Sequence, residues 1–123
     1  MGYKMPRTNP FDGRCDWEGK ILTLDGSSTA DFGEDDLDEV VWSWEDNPRD
    51  WDGNCACVCL LKDGRFISWE SWWGPTGDGF SRDAYGGDTD LSAHSTLSNA
   101  MLFGLTPERR KMCAEALGIP IPT

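Results

Sequence analysis

Two apolar runs separated by a polar turn form the clearest pattern in this chain of 123 residues. The first run covers residues 55–61 and the second covers 65–73, with Lys-Asp-Gly at 62–64 between them. A tight turn needs a residue with a positive φ, and glycine adopts that conformation at little cost. The pattern therefore predicts a β-hairpin over residues 54–73 at the centre of the fold.

Apolar residues at helical spacing predict two short helices in the C-terminal part of the chain, residues 95–118. Ser95 is the expected N-cap of the first helix, and Gly104 is expected to end it. Thr106, which is followed by a proline, is the expected N-cap of the second helix, and Gly118 is expected to end that helix. The apolar stripe of the second helix is expected at Met112, Cys113, Ala116 and Leu117.

The remaining segments carry weaker patterns. Residues 37–45 match both the spacing of a helix and the alternation of a strand, and their Val-Val-Trp-Ser-Trp composition favours a strand. Residues 20–24 form a short strand candidate, and residues 1–19 have the composition of an irregular arm. The five glycines of residues 74–87 indicate a long loop.

The predicted fold class is α+β, with an antiparallel sheet of three to five strands around the 54–73 hairpin and two C-terminal helices on one face. A chain of this length has room for a single domain, residues 1–123. Strand alternation places Trp69 and Trp73 on one face and Trp72 on the other. Because the helices can cover only one face well, Trp72 is expected either under the glycine-rich loop or exposed as an interaction anchor.

The negative charge of the chain is large and unevenly distributed. Asp and Glu number 22 against 11 Lys and Arg, a formal net charge of −11. Nucleic acids and anionic membranes attract positive surfaces, so direct binding to either is not expected. Ten of the acids lie between Asp31 and Asp52, where Arg49 is the only base. Such a tract fits either a solubilising face or a surface that binds a basic protein.

Tryptophans interleave with this acidic tract at positions 42, 44 and 51. An indole beside a carboxylate can hold a Lys or Arg side chain by cation–π contact and ion pairing together. We therefore expect the tract to bind the basic surface of a partner protein. The residues expected to contact that partner are Asp35, Asp36, Asp38, Glu39, Trp44, Asp46, Asp50, Asp52 and Trp72.

Five cysteines, an odd number, indicate a reduced compartment rather than a disulfide scaffold. Cys55, Cys57 and Cys59 alternate along the predicted strand, and together with His94 they offer ligands for a zinc ion. Their spacing differs from the usual Cys-x2-Cys knuckle, and side chains two residues apart on a strand lie about 6.5–7 Å apart. A buried strand that uses cysteine as a small apolar residue is therefore the favoured interpretation. No cofactor is expected, and zinc is the alternative.

The sequence contains no recognisable catalytic constellation. His94 is the only histidine, and no family signature surrounds any cysteine. Asp78, Asp83, Asp88 and Asp90 lack the ligand order of an EF-hand. The expected function is therefore not enzymatic. A zinc-stabilised structural or adaptor domain is the first alternative, and a small enzyme that uses Cys and His or these carboxylates is the second.

Hydropathy argues against a membrane or secreted location. No apolar run approaches the roughly 18–20 residues that cross a bilayer. The polar residues 1–10 are not followed by the apolar segment of a secretory signal. These features predict a cytoplasmic protein with no membrane partner.

Short motifs around the hairpin resemble those of small uncharacterised proteins of bacteriophages and prophages. The matching residues are Trp51-Asp-Gly-Asn54, Leu61-Lys-Asp-Gly-Arg-Phe66, Trp72-Trp73 with Thr76-Gly77-x-Gly79, and a closing helix from Ser95 to Leu105. The resemblance covers roughly the second half of the chain, and the cysteine-rich strand and the acidic first half depart from the family pattern.

This resemblance implies a phage accessory protein that acts in the cytoplasm of a host bacterium. Many small acidic phage proteins, anti-CRISPR proteins among them, block host defence nucleases by occupying basic nucleic-acid channels. The resemblance supplies no catalytic residues. Together with the charge of the chain, it leads us to expect a non-enzymatic inhibitor of anti-CRISPR type whose carboxylates meet the basic surface of a nucleic-acid-binding host complex.

Overall fold

The computed structural model describes residues 3–6, 32, 34–46, 51–74, 77–80 and 93–123. One 3-10 turn, four strands and two helices follow one another: Glu34–Asp36, β1 Leu37–Glu45, β2 Gly53–Leu61, β3 Phe66–Gly74, β4 Gly77–Phe80, α1 Leu97–Gly104 and α2 Pro107–Leu117. The strands form one antiparallel sheet in the order β1-β2-β3-β4. The predicted α+β class, the central hairpin and the two C-terminal helices are confirmed, and the strand candidate at 20–24 lies outside the described residues.

The hairpin turn owes its shape to an aspartate and a glycine. Gly64 has a φ of 93°, which only glycine adopts readily. The Asp63 carboxylate accepts hydrogen bonds from the backbone N–H of Arg65 at 2.9 Å and from its Nε at 2.8 Å. These bonds and the guanidinium charge hold the pKa of Asp63 below its usual value. The turn therefore sets the register of β2 against β3, in which Leu60 lies opposite Phe66.

Two segments with weak sequence patterns are the outer strands of the sheet that the described residues form. Residues 37–45 form β1, as their β-branched and aromatic composition predicts. The expectation of a loop over the whole of 74–87 is wrong at 77–80, because those residues pair with β3 as β4. Glycine is a poor strand former, but strand pairing uses backbone N–H and C=O groups and needs no side chains. The Gly, Asp and Phe residues at 77–80 all keep both backbone groups, so this segment can pair.

The helix termini differ in part from the predicted caps. The N-cap of α1 is Thr96 rather than Ser95, because the Thr96 hydroxyl accepts a hydrogen bond from the N–H of Asn99 at 3.1 Å. Thr106 occupies the N-cap position of α2 as predicted, although its side chain makes no capping bond. Gly118 ends α2 in the left-handed conformation with a φ of 69°, as its position after the apolar stripe predicts.

One face of the sheet, the cysteine face, is built from alternate residues of β2 and β3. Its central residues are Cys55, Cys57, Cys59, Ile67, Trp69 and Trp73, each at most 2% exposed. The described residues that pack on this face include Met5, Phe32 and Ala93. The predicted placement of Trp69 and Trp73 on a common face is confirmed, and Ile67 lies on the same face.

The opposite face, the helix face, carries Ala56, Val58, Ser68, Glu70 and Trp72 and lies against both helices. The Ser68 hydroxyl donates a hydrogen bond to the carbonyl of Ala100 in α1. In α2 the buried residues are Cys113 and Ala114, whereas Ala116 of the predicted stripe is exposed. The orientation of α2 about its axis therefore places Ala114, and not Ala116, against the sheet.

None of the helices in the described part of the chain is long and apolar enough to span a membrane.

Candidate functional site

Acidic residues gather at the two ends of β1, which is an edge strand of the sheet within the described part of the chain. Residues 34–46 contain seven acids and no base. The turn-end acids, next to the β2–β3 turn, are Asp35, Asp36, Asp38 and Glu39. The open-end acids, at the opposite end of β1, are Glu45, Asp46 and Asp52. At a rise of about 3.3 Å per residue, the six steps from Glu39 to Glu45 separate the nearest members of the two groups by about 20 Å.

Most of these carboxylates have no cationic partner within the described part of the chain. Five of them make no ion pair there: Asp35, Asp38, Glu39, Asp46 and Asp52. The backbone carbonyl of Asp36 accepts a hydrogen bond from the N–H of Lys62 at 2.8 Å, which ties the turn-end acids to the hairpin turn. Asp50 lies outside the described residues.

Trp42 and Trp44 do not line an open patch with the described acids. Trp42 is only 3% exposed and packs against the helices. Trp44 is partly buried, and the guanidinium of Arg109 lies 3.8 Å from the centre of its ring. The apolar stretch between the two acidic groups therefore faces inward, and the indole of Trp44 already holds a cation of the same molecule.

Arg109 connects three elements across an inner row of the helix face, Trp44–Ala56–Glu70. Trp44 pairs with Ala56, and Ala56 pairs with Glu70, so an indole and a carboxylate flank a small residue. Arg109 enters this gap from α2, over the Trp44 ring and with its Nε 3.8 Å from Oε1 of Glu70. Glu70 also accepts a hydrogen bond from the backbone N–H of Thr106, the N-cap residue of α2.

Glu70 is a carboxylate in a largely apolar environment. Its residue is 8% exposed, and burial raises the pKa of Glu70 above its usual value of 4.5. The Thr106 N–H and the Arg109 charge act in the opposite direction, and they favour the ionised form. The sequence analysis predicts a role for neither Glu70 nor Arg109. The only signal in the sequence is that Glu70 is a single acid within the apolar second strand of the hairpin.

The next row outward on the helix face, the exposed row, consists of Asp46, Asn54 and Trp72. Asn54 pairs with Trp72, and the N–H of Asp46 donates to the carbonyl of Asn54 at 2.8 Å. Trp72 is 39% exposed and Asn54 is exposed, because the helices cover only the rows farther along the sheet. Of the two expectations for Trp72, exposure is the one observed. Trp51, at 78% exposed, lies three residues before Asn54.

The three cysteines proposed as zinc ligands are buried thiols on the cysteine face. The Sγ atoms of Cys57 and Cys59 are 3.6 Å apart, closer than the expected spacing of about 6.5–7 Å between side chains two residues apart on a strand. Cys55 shares a hydrogen bond of 2.8 Å with the hydroxyl of Ser71. Burial and the contact with Cys59 raise the pKa of Cys57 well above its usual value. Among the described residues, no three His, Cys, Asp or Glu side chains are grouped so that they could hold a metal ion.

His94 lies beside the hairpin and does not form a group of metal ligands with the three cysteines. Its backbone forms a two-way bridge to Phe66, with N···O distances of 2.7 and 2.8 Å. The imidazole lies 5.0 Å from the ring of Phe103, and burial lowers the pKa of His94 below its usual value. In the structure, His94 joins the start of the helical region to the edge of β3.

Comparison with protein-family models, with curated proteins and with solved structures finds no match for this chain.

Proposed function

We propose that this protein is a non-enzymatic inhibitor whose acidic edge occupies the basic surface of a nucleic-acid-binding protein. The observation that carries the proposal is the edge strand β1, which presents acids at both ends and no base over residues 34–46. Five of the turn-end and open-end acids make no ion pair within the described residues, so their charge is available to a partner. Exposed carboxylates attract cationic surfaces and steer their association.

The spacing of the charges favours an extended cationic partner over a small cationic ligand. Two acidic groups whose nearest members lie about 20 Å apart cannot both contact one small molecule. A groove that binds nucleic acid presents a long row of Lys and Arg, because it follows a phosphate backbone. In the form implied by the resemblance to phage proteins, the partner is a defence nuclease complex of the host, and this chain acts in the bacterial cytoplasm as an anti-CRISPR-type inhibitor.

Capture followed by displacement tests the proposal. The immobilised protein is incubated with bacterial lysate, each captured protein is purified, and its affinity for single-stranded and double-stranded DNA and RNA is measured with and without this chain. We expect a captured protein that binds nucleic acid and releases it stoichiometrically when the chain is added. Captured proteins that bind no nucleic acid, or that retain it in the presence of the chain, would contradict the proposal.

A further inference from the structure

The exposed row repeats the chemistry of the inner row in reverse order. In the inner row, Trp44 lies on β1 and Glu70 on β3, and they hold Arg109 between them. In the exposed row the carboxylate of Asp46 follows β1, and the indole of Trp72 lies on β3. The molecule thus contains one occupied arginine-binding arrangement and, two residues farther along the strands, a second with the same components.

The dimensions of the two rows are set by the same sheet. Neighbouring strands lie about 4.8 Å apart, so the outer members of either row are separated by about 10 Å. Ala56 leaves space for a guanidinium in the inner row. In the exposed row Asn54 takes the central position, and its side-chain oxygen can accept a hydrogen bond from a guanidinium.

No cation of the described residues contacts the exposed row. Within that part of the chain, neither Trp72 nor Asp46 has a ring contact or an ion pair. Arg109 is held in the inner row, and the Nε of Arg110 donates to the carbonyl of Leu105 at 3.0 Å. The Trp72 indole is 39% exposed and lies in the same row as a carboxylate, so the two together favour a cationic side chain.

We propose that the exposed row, Asp46–Asn54–Trp72, receives an arginine side chain of the basic partner, an inference that rests on the proposed function. The guanidinium stacks on the Trp72 indole and donates hydrogen bonds toward Asp46 and Asn54, as Arg109 stacks on Trp44 and faces Glu70. A planar guanidinium can stack and donate in its plane at the same time, whereas an ammonium cannot. The row therefore selects arginine over lysine.

A peptide probe tests this inference directly. A nine-residue peptide of alternating Arg and Gly is titrated into the full chain, next to peptides with Lys or with the uncharged isostere citrulline in place of Arg. Affinity is measured by calorimetry, and the indole N–H resonances are followed by NMR. We expect the arginine peptide to shift the Trp72 resonance and to bind about threefold to fivefold more tightly than the lysine peptide. The citrulline peptide is expected to leave the resonance unchanged.

Substitutions locate the binding to the row. The substitutions Trp72→Leu and Asp46→Asn are each expected to weaken binding of the arginine peptide about threefold to fivefold. Each should also reduce the preference of the chain for the arginine peptide over the lysine peptide. Trp51→Leu is the matched control, because Trp51 is more exposed but lies outside the row, and it should change the affinity less than twofold. If Trp72→Leu unfolds the chain, Asp46→Asn and the peptide comparison still decide the outcome.

The possible results separate this inference from the proposed function. Equal binding of the arginine and lysine peptides, or an equal loss in Trp51→Leu and Trp72→Leu, would overturn the assignment of the exposed row. In that case, a captured partner that still depends on the turn-end acids would leave the proposed function intact. A selective arginine site on a chain that displaces no nucleic acid would instead support the row and contradict the inhibitor.

Discussion

A single buried carboxylate shapes the helix face at the scale of individual residues. Glu70 accepts a hydrogen bond from the N–H of Thr106, the N-cap of α2, and faces the guanidinium that lies on Trp44. Breaking such a set by removing one member leaves a buried charge without compensation, which costs more than the set itself contributes. Arg109 is thereby committed to the interior of the molecule and is not available to neutralise the acids of β1.

The free energy of unfolding should depend on pH through Glu70. Its pKa is higher in the folded state, so the native chain binds the proton more tightly and loses stability as pH rises from 4.5 through the raised value. Glu70→Gln removes this titration. We expect the stability of the wild type relative to Glu70→Gln, measured by urea unfolding, to fall as pH increases from 4.5 through the raised pKa of Glu70. A difference that stays constant, or that grows with pH, would contradict the assigned environment.

Close backbone contact between α1 and β3 is the main constraint at the scale of elements. Gly104, the last residue of α1, lies against Ser68, and an added Cβ at Gly104 would collide with the Ser68 hydroxyl and carbonyl. The same serine donates a hydrogen bond to Ala100, one turn earlier in α1. The helix can approach the sheet this closely only because both residues are small, and the sequence reveals Gly104 only as a helix-ending signal.

The substitution Gly104→Ala distinguishes the helix-ending role of Gly104 from its close contact with Ser68. Helix propensity alone would make alanine stabilising at this position, but the collision with Ser68 should lower the free energy of unfolding by about 3 kcal/mol. Gly118→Ala is the matched control, because it meets open space and only its positive φ is strained, at a cost of about 1 kcal/mol. Urea unfolding followed by tryptophan fluorescence measures both. A Gly104→Ala chain as stable as the wild type would rule out the close approach.

The elements could be predicted where local chemistry decides them. The Asp63-Gly64 turn and the alternation of Trp69 and Trp73 are properties of short segments, and both are confirmed. The strand at 77–80 was missed because its pairing depends on the backbone of β3 and not on its own side chains. The role of Arg109 was also missed, since no local pattern brings α2 over β1 and β3.

The candidate site was predicted in composition but not in arrangement. Sequence position places Trp44 among the acids, and the fold turns that ring onto Arg109 instead. Trp72 lies some twenty residues from the acidic tract in sequence, and the register of β2 with β3 brings it into a row with Asn54 and Asp46. Which aromatic residues accompany the exposed acids therefore depends on long-range pairing, which a pattern of charges does not contain.

At the scale of the whole molecule, residues 34–46 contribute seven negative charges and no positive charge to the net charge of −11, and nine of these residues form the strand β1. Two of the bases in the C-terminal helix are engaged within the molecule, Arg109 with Glu70 and Arg110 with the carbonyl of Leu105. The acids of β1 thus meet little internal compensation among the described residues. Binding to a cationic partner through such exposed charges should weaken as salt screens them over a Debye length of about 10 Å.

The central claim is that the exposed acids of β1 carry the binding, and one affinity measurement tests it. The captured partner is titrated with wild-type chain, with the turn-end variant Asp35→Asn, Asp38→Asn, Glu39→Gln, and with Glu108→Gln, Glu115→Lys, which removes the same negative charge from α2. At low salt we expect the affinity to fall about tenfold or more for the turn-end variant and to change less than about threefold for the α2 control. Equal affinities for the wild type and the turn-end variant would contradict it.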